Sequence, residues 1–261
     1  MASKWSNTGA KRGREARAAL ELGCNGPIPD LLTTVEAAGA HVVVLDLPEG
    51  VAGAYIAKPD CPLLFVNGGQ WIARQRFTLA HEFGHLRMGH GTVVDRQVAI
   101  SGYLHDPDVV CENAFAAEFL MPKVAIVAWG AEHVRGAQPT LEHVCRLAAE
   151  YGVSAQAARY ALETADVLTN AKRKQQLDAE ISEELHRDVF QQLGLEPLED
   201  ELAAASARRP LIPRALRDTA LGDLLAGDID TAGFAARVNA STVEVDAMLA
   251  ALGLDQLLPT A

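Results

Sequence analysis

The 261-residue chain sets 23 Lys and Arg against 34 Asp and Glu, a formal net charge of -11, which excludes a general attraction to phosphate backbones. An apolar fraction of 49% with 22% charged residues excludes a disordered or fibrous chain and suits one substantial domain with a smaller one. Four scattered cysteines, Cys24, Cys61, Cys111 and Cys145, form no C-x-x-C pair, so neither a zinc ribbon nor a disulfide framework is indicated. With no apolar run near the roughly 18 residues of a membrane span and no leader-like N-terminus, the expectation is a reduced, cytoplasmic protein without membrane contact.

In chain order, the Ala, Arg, Glu and Leu content of Ala10 to Leu22 predicts a helix. Its basic residues Lys11, Arg12, Arg14 and Arg17 read as a solvated face. Pro29-Asp30 opens a second helix, Leu31 to Ala38, which Gly39 ends. The β-branched run His41 to Leu45 predicts a buried strand; Val51 to Ala57 and Leu63 to Val66 predict two more, split by the turn Lys58-Pro59-Asp60. A small three-stranded sheet with helices on one side is therefore expected. A helix from Trp71 to Met88 follows, with Ile72, Leu79, Phe83 and Leu86 as its core face. Asp106-Pro107-Asp108 caps another, which stops near Met121-Pro122. Thr140 to Tyr151 and Ser154 to Leu168 predict a helix pair, and Lys172 to Leu193 a long, charged connecting helix. Residues 197–213 read as a linker, followed by short helices at Arg214 to Leu225, Thr231 to Val238 and Thr242 to Leu252.

The chemistry-bearing motif is His81-Glu82-Phe83-Gly84-His85. Histidines at i and i+4 emerge on one helix face, about 5–6 Å apart at Cβ, so both can hold one Zn²⁺ at roughly 2.0–2.1 Å. Glu82 is then placed to take a proton from a water that the metal has acidified. Gly84 is poor for a helix, and the space it leaves reads as room beside the metal. A catalytic zinc takes three protein ligands; the third is expected from a carboxylate on a neighbouring helix, and Val109 to Pro122 offers one. His90, between glycines, reads as a turn residue. Arg74 and Arg76 read as anchors of the helix or the substrate. Tyr151, Tyr160, Arg159, His133 and His143 are open candidates for stabilising an oxyanion.

Arg76-Phe77-Thr78-Leu79-Ala80 leading into the histidine motif, then Asn113-x-Phe115-Ala116-Ala117-x-x-Leu120-Met121-Pro122, resembles the ImmA/IrrE family of metallopeptidases. Gly50-Val51-Ala52-Gly53 and the strand ending Val66-Asn67 resemble it too, and the similarity spans roughly residues 10 to 165. The resemblance implies an α+β, zincin-like fold. It also implies a zinc-dependent endopeptidase that cleaves a helix-turn-helix repressor, de-repressing mobile-element, phage or stress-response genes. In one respect the chain departs. The family glutamate that serves as third zinc ligand, six positions before the Phe, is here Val109. Glu112 lies about 60° around the helix from that position, Asp108 about 100° and Cys111 about 160°. Glu112 is the expected ligand, with Asp108 and Cys111 as alternatives. The departure also keeps open a second reading, a weakly active or inactive member that regulates a partner by contact.

The expected organisation is a zinc peptidase domain over residues 1–170, a connecting helix and linker over 171–210, and a helix-turn-helix-like helical domain over 211–261. From Pro210 onward the last unit carries three arginines against seven carboxylates. That balance opposes direct nucleic-acid binding and favours protein contact or homodimerisation.

Overall fold

The computed structural model describes residues 4–45, 47–57, 62–100, 106–195 and 214–251. The proposed turn at Lys58-Pro59-Asp60 and the linker at 197–213 lie outside these. The fold is α+β. Strands β1 (His41–Leu45), β2 (Val51–Ile56), β3 (Leu63–Asn67) and β4 (Val93–Arg96) form a four-stranded sheet in the order β1-β3-β2-β4. Parallel β1 and β3 pair from His41 with Leu63 to Leu45 with Asn67, whereas β2 runs antiparallel to both β3 and β4. The expected sheet of three strands is thus corrected to four. Strand β4 is only four residues long and carries Asp95 and Arg96, residue types with little strand signal of their own. A register shift between Val51 and Gly53 opposite β4 marks a bulge. Beyond it, Gly53 pairs with Asp95.

Preceding the sheet are α1 (Lys4–Ala19) and α2 (Leu31–Ala37), the latter capped by Asp30, whose side chain accepts from the Thr33 amide at 2.9 Å. Helix α1 starts earlier than the Ala-rich segment suggests. Gly9 and Gly13 lay it directly on a later helix: a Cβ on Gly9 would stand 1.9 Å from the Cys111 carbonyl oxygen, and one on Gly13 2.9 Å from that of Phe115. Nor is its basic face wholly solvated. Arg17 is buried and donates to the carbonyls of Phe119, Gly23 and Gly26 at 2.7, 2.9 and 2.7 Å.

Helix α3 (Ile72–Met88) carries the histidine motif. The sequence predicts one buried stripe, yet every residue from Thr78 to His85 is buried, because the sheet covers one side of the helix and α5 (Pro107–Leu120) the other. Gly84 faces α5: a Cβ there would meet Phe115 Cδ1 at 3.1 Å. Its small size admits a phenyl ring, which corrects the reading of space kept for a metal. Short α4 (Gln97–Ile100) bridges from β4 towards α5, and Pro122 opens an unforeseen helix, α6 (Lys123–His133).

Helices α7 (Leu141–Tyr151) and α8 (Ala155–Thr164) form the expected pair, joined through left-handed Gly152. The expected connecting helix is two helices, α9 (Ala171–Ser182) and α10 (Leu185–Gln192), broken where Glu184 takes a φ of 60°. They pack on α8 and α7, and bury Leu177 and Phe190 in the same apolar core as Phe83, Phe115 and Leu147. A second cluster lies in α11 (Arg214–Ala226), α12 (Thr231–Arg237) and α13 (Thr242–Ala251), where Ala220, Leu224, Phe234, Ala235, Val245 and Leu249 are buried together.

Candidate metal centre

His81, Glu82 and His85 occupy the fully buried middle of α3, and the helix supplies the pairing that their spacing predicts: the imidazole centroids stand 5.2 Å apart. Each ring has two sides with different company. The Nε2 atoms look towards β4, where Asp95 Oδ2 lies 3.1 Å from that of His85 and 3.6 Å from that of His81. The Nδ1 atoms look towards α5 and the chain just beyond α3. His81 Nδ1 is 3.0 Å from Asn113 Oδ1, and His85 Nδ1 is 3.0 Å from His90 Nδ1 and 3.8 Å from Glu112 Oε1. The ring of Tyr55 of β2 lies nearly parallel to that of His85, with 6.4 Å between centroids.

Left-handed Gly89, at a φ of 72°, ends α3 and turns the chain back, so that the His90 amide donates to the His85 carbonyl. The His90 ring then reaches Glu112 Oε1 at 2.9 Å. His90, a turn residue by sequence, therefore belongs to the cluster. Of the three carboxylate or thiol alternatives on α5, only Glu112 enters it. Asp108 is exposed, and Cys111 is turned to Met88, with 3.6 Å between sulfurs. Glu112 stands beside His90 and the Nδ1 side of His85. Asp95 joins the cluster from outside the histidine motif and α5. Its signal was the parity of β4, in which Asp95 shares an inward face with Val93 while Val94 and Arg96 point out. Such an inward charge in a strand needs a reason.

Electrostatics follow from burial. Desolvation, reinforced by the charges of Asp95 and Glu112, raises the Glu82 carboxyl well above its ordinary range. Desolvation likewise pushes Glu112 up to about 8, with Asp108 and Asp95 adding to it. Burial acts on Asp95 in the same sense, but the His81 and His85 imidazoles outweigh it and hold that carboxyl well below the usual range. Desolvation, with neighbouring His85, lowers His90.

The residues present fit a divalent metal. His81 Nε2 and both oxygens of Glu82 are buried without a hydrogen-bond partner, an arrangement that would be expensive unless something polar or charged shares the space. Two imidazoles with a carboxylate are a borderline-soft donor set suited to zinc. Among the described residues two groups have the proximity a metal needs, His81 with His85 and Asp95, and His85 with His90 and Glu112.

The other named residues fall elsewhere. Arg76 donates to the carbonyls of Gly152 at 3.0 Å and Ile28 at 2.8 Å, and Arg74 to that of Gln97 at 2.8 Å, so both anchor backbone. Arg159 pairs with Glu163 and Asp178, while His133 and His143 gather round Trp129. Tyr151 is buried in the main core and Tyr160 is exposed beside Arg159.

Compared with known families, residues 35–163 match the peptidase M78 profile, described as the IrrE N-terminal-like domain. The matched span holds the whole sheet and both halves of the cluster. No curated protein matches the chain significantly.

Proposed function

Through residues 35–163 this chain belongs to the ImmA/IrrE family of metallopeptidases, and we propose that it is a zinc-dependent endopeptidase whose substrate is a helix-turn-helix repressor. The observation that carries the reading is the burial, in one helix turn, of His81, Glu82 and His85, with His81 Nε2 and both Glu82 oxygens lacking a hydrogen-bond partner and the two histidine Nε2 atoms gathered at Asp95 Oδ2. His81 and His85 would hold the metal. When bound, it supplies a Lewis acid that brings a water's pKa down to about 7 and polarises a peptide carbonyl.

The chain's own groups do the rest. Glu82, desolvated and flanked by two carboxyls, has a raised proton affinity, as suits a base that must take a proton near neutral pH and pass it to a leaving amine. Asn113 accepts from the His81 Nδ1–H and so directs Nε2 to the metal side. Gly53 lets Glu82 approach the sheet, since a Cβ there would lie 2.5 Å from Glu82 Oε1. Strand β4 has β2 as its only strand neighbour among the described residues, so its outer edge suits an extended substrate segment.

Co-expression with a helix-turn-helix protein encoded beside this chain should yield a cleaved repressor. Glu82→Gln should retain about one zinc per chain while cleavage falls by about 10²–10⁴-fold. Undiminished cleavage by that variant would remove Glu82 from the role. A metal-free wild-type chain would favour regulation by contact, the reading that Val109 keeps open.

A further inference from the structure

We propose that the third protein ligand of the metal is Asp95 on β4, and that Glu112 is a positioning residue behind His85. This rests on the zinc reading and deepens it.

The two sides of the histidines carry the argument. A metal held by both rings must sit where one nitrogen of each converges on a common point. Each Nδ1 is engaged elsewhere: that of His81 by Asn113, that of His85 by His90 with Glu112 behind it. The two Nε2 atoms share one neighbour, Asp95 Oδ2. Two ligands each about 2.0–2.1 Å from a tetrahedral ion stand about 3.4 Å apart; the observed 3.1 and 3.6 Å bracket that value. Asp95 Oδ2 is hydrogen-bonded to His85 Nε2 at 3.1 Å, whereas the longer distance leaves His81 Nε2 with no hydrogen bond, so that second contact has the spacing of co-ligands rather than of a donor and acceptor.

Glu112 lacks that relation. Its nearest approach to His85 is at Nδ1, 3.8 Å away, and it forms a proximity group with His85 and His90 in which His81 takes no part. An imidazole that binds metal through Nε2 presents an Nδ1–H needing an acceptor; for His85 that partner is His90 Nδ1 at 3.0 Å, and Glu112 acts on His85 through His90, whose Nδ1 lies 2.9 Å from Glu112 Oε1. Asp95 can do its part because of the bulge opposite it. The register shift between Val51 and Gly53 brings Asp95 level with Gly53, where the missing side chain lets α3 come close to the sheet. The carboxylate that Val109 cannot supply thus comes from a strand, on the opposite side of α3 from α5.

The test uses the full chain with cobalt(II) in place of zinc. Asp95→Cys should add a thiolate-to-cobalt charge-transfer band in the near ultraviolet, which Glu112→Cys and the wild type lack. Asp95→Ala should weaken metal binding by more than about a hundredfold, beyond the roughly 10–100-fold expected when Glu112→Ala removes an orienting partner. Circular dichroism of the metal-free variants checks that each is folded; should Asp95→Cys not fold, the near-isosteric Asp95→Asn decides through affinity alone. Wild-type affinity in Asp95→Ala or Asp95→Asn, or a charge-transfer band from Glu112→Cys alone, overturns the assignment. Failure of the zinc reading itself looks different: wild type would bind no stoichiometric metal, or His81→Ala would bind as well as wild type.

Discussion

The middle of α3 and the C-terminal helices bury different things. In α3, one stretch from Thr78 to His85 buries His81, Glu82 and His85 alongside Leu79 and Phe83, with Asp95 and Glu112 added from either side. The cluster of α11 to α13 is made of Ala, Leu, Val and Phe alone among its described residues. An apolar core repays its burial directly. Buried charge does not, and persists where it has a task or a counter-ion. The difference teaches that the first region concentrates buried titratable groups, as the metal implied by its family requires, whereas the second is a small scaffold whose six buried side chains leave little stability to spare.

The sharpest way to break this comparison is to empty each core in turn. Phe115→Ala removes a fully buried ring that touches Phe83 and Phe119, and should lower the stability of the metal-binding unit by about 3–5 kcal/mol in chemical denaturation. Phe234→Ala should melt the C-terminal helices and leave zinc content and the main unfolding transition unchanged. Loss of zinc from Phe234→Ala would show that the two clusters fold as one.

Next in size is the effect of pH on the metal-free chain. Glu112 is raised to about 8 from an ordinary 4.5, and Glu82 is raised as well. A raised carboxyl favours the fold while protonated, so its contribution is complete below pH 4.5 and is lost as pH climbs through 8. The melting temperature of the metal-free protein should therefore fall by several degrees between pH 5 and 8.5. Glu112→Gln should flatten that slope, and zinc should reverse it. A melting temperature that rises over this range would contradict the assigned burial.

The smallest effect belongs to Gly84→Ala. Alanine favours the helix by about 1 kcal/mol, but its methyl must displace Phe115 from 3.1 Å, an overpacking of about 1–3 kcal/mol. A net loss of about 1 kcal/mol is expected, with zinc retained. A weakened metal site with unchanged stability would restore the idea that Gly84 makes room for the metal.

Local spacing made the centre of the site readable in advance. His81, Glu82 and His85 are tied by helical period, and Asn113, Phe115 and Pro122 by another stretch of helix. What escaped depends on chain reversals. His90 reaches His85 only because Gly89 turns left-handed. Asp95 meets both histidines only because a four-residue strand adds to the sheet beside a bulge. Helix α6 is not announced by the sequence because Pro122 ends one helix and the same residue opens the next. The break at Glu184 lies in a sequence of good helix formers, so nothing local announces it; the apolar spacing of Leu177, Ile181, Val189 and Phe190, which dock on the core, was the available clue.

The close seating of α1 separates kinship from autonomy. Residues 4–19 precede the family-matched span of 35–163, yet Gly9 and Gly13 rest on the backbone of α5 at Cys111 and Phe115, a turn or less from Glu112 and Asn113. An excised fragment bounded by the matched residues would carry every residue assigned to the metal and still uncover the outer flank of the helix that steers both imidazoles. Its first symptom should be wandering histidine geometry rather than missing ligands. Homology delimits the inherited chemistry, while mechanical support for that chemistry extends beyond it at both ends, through Arg17 on one side and Phe190 on the other.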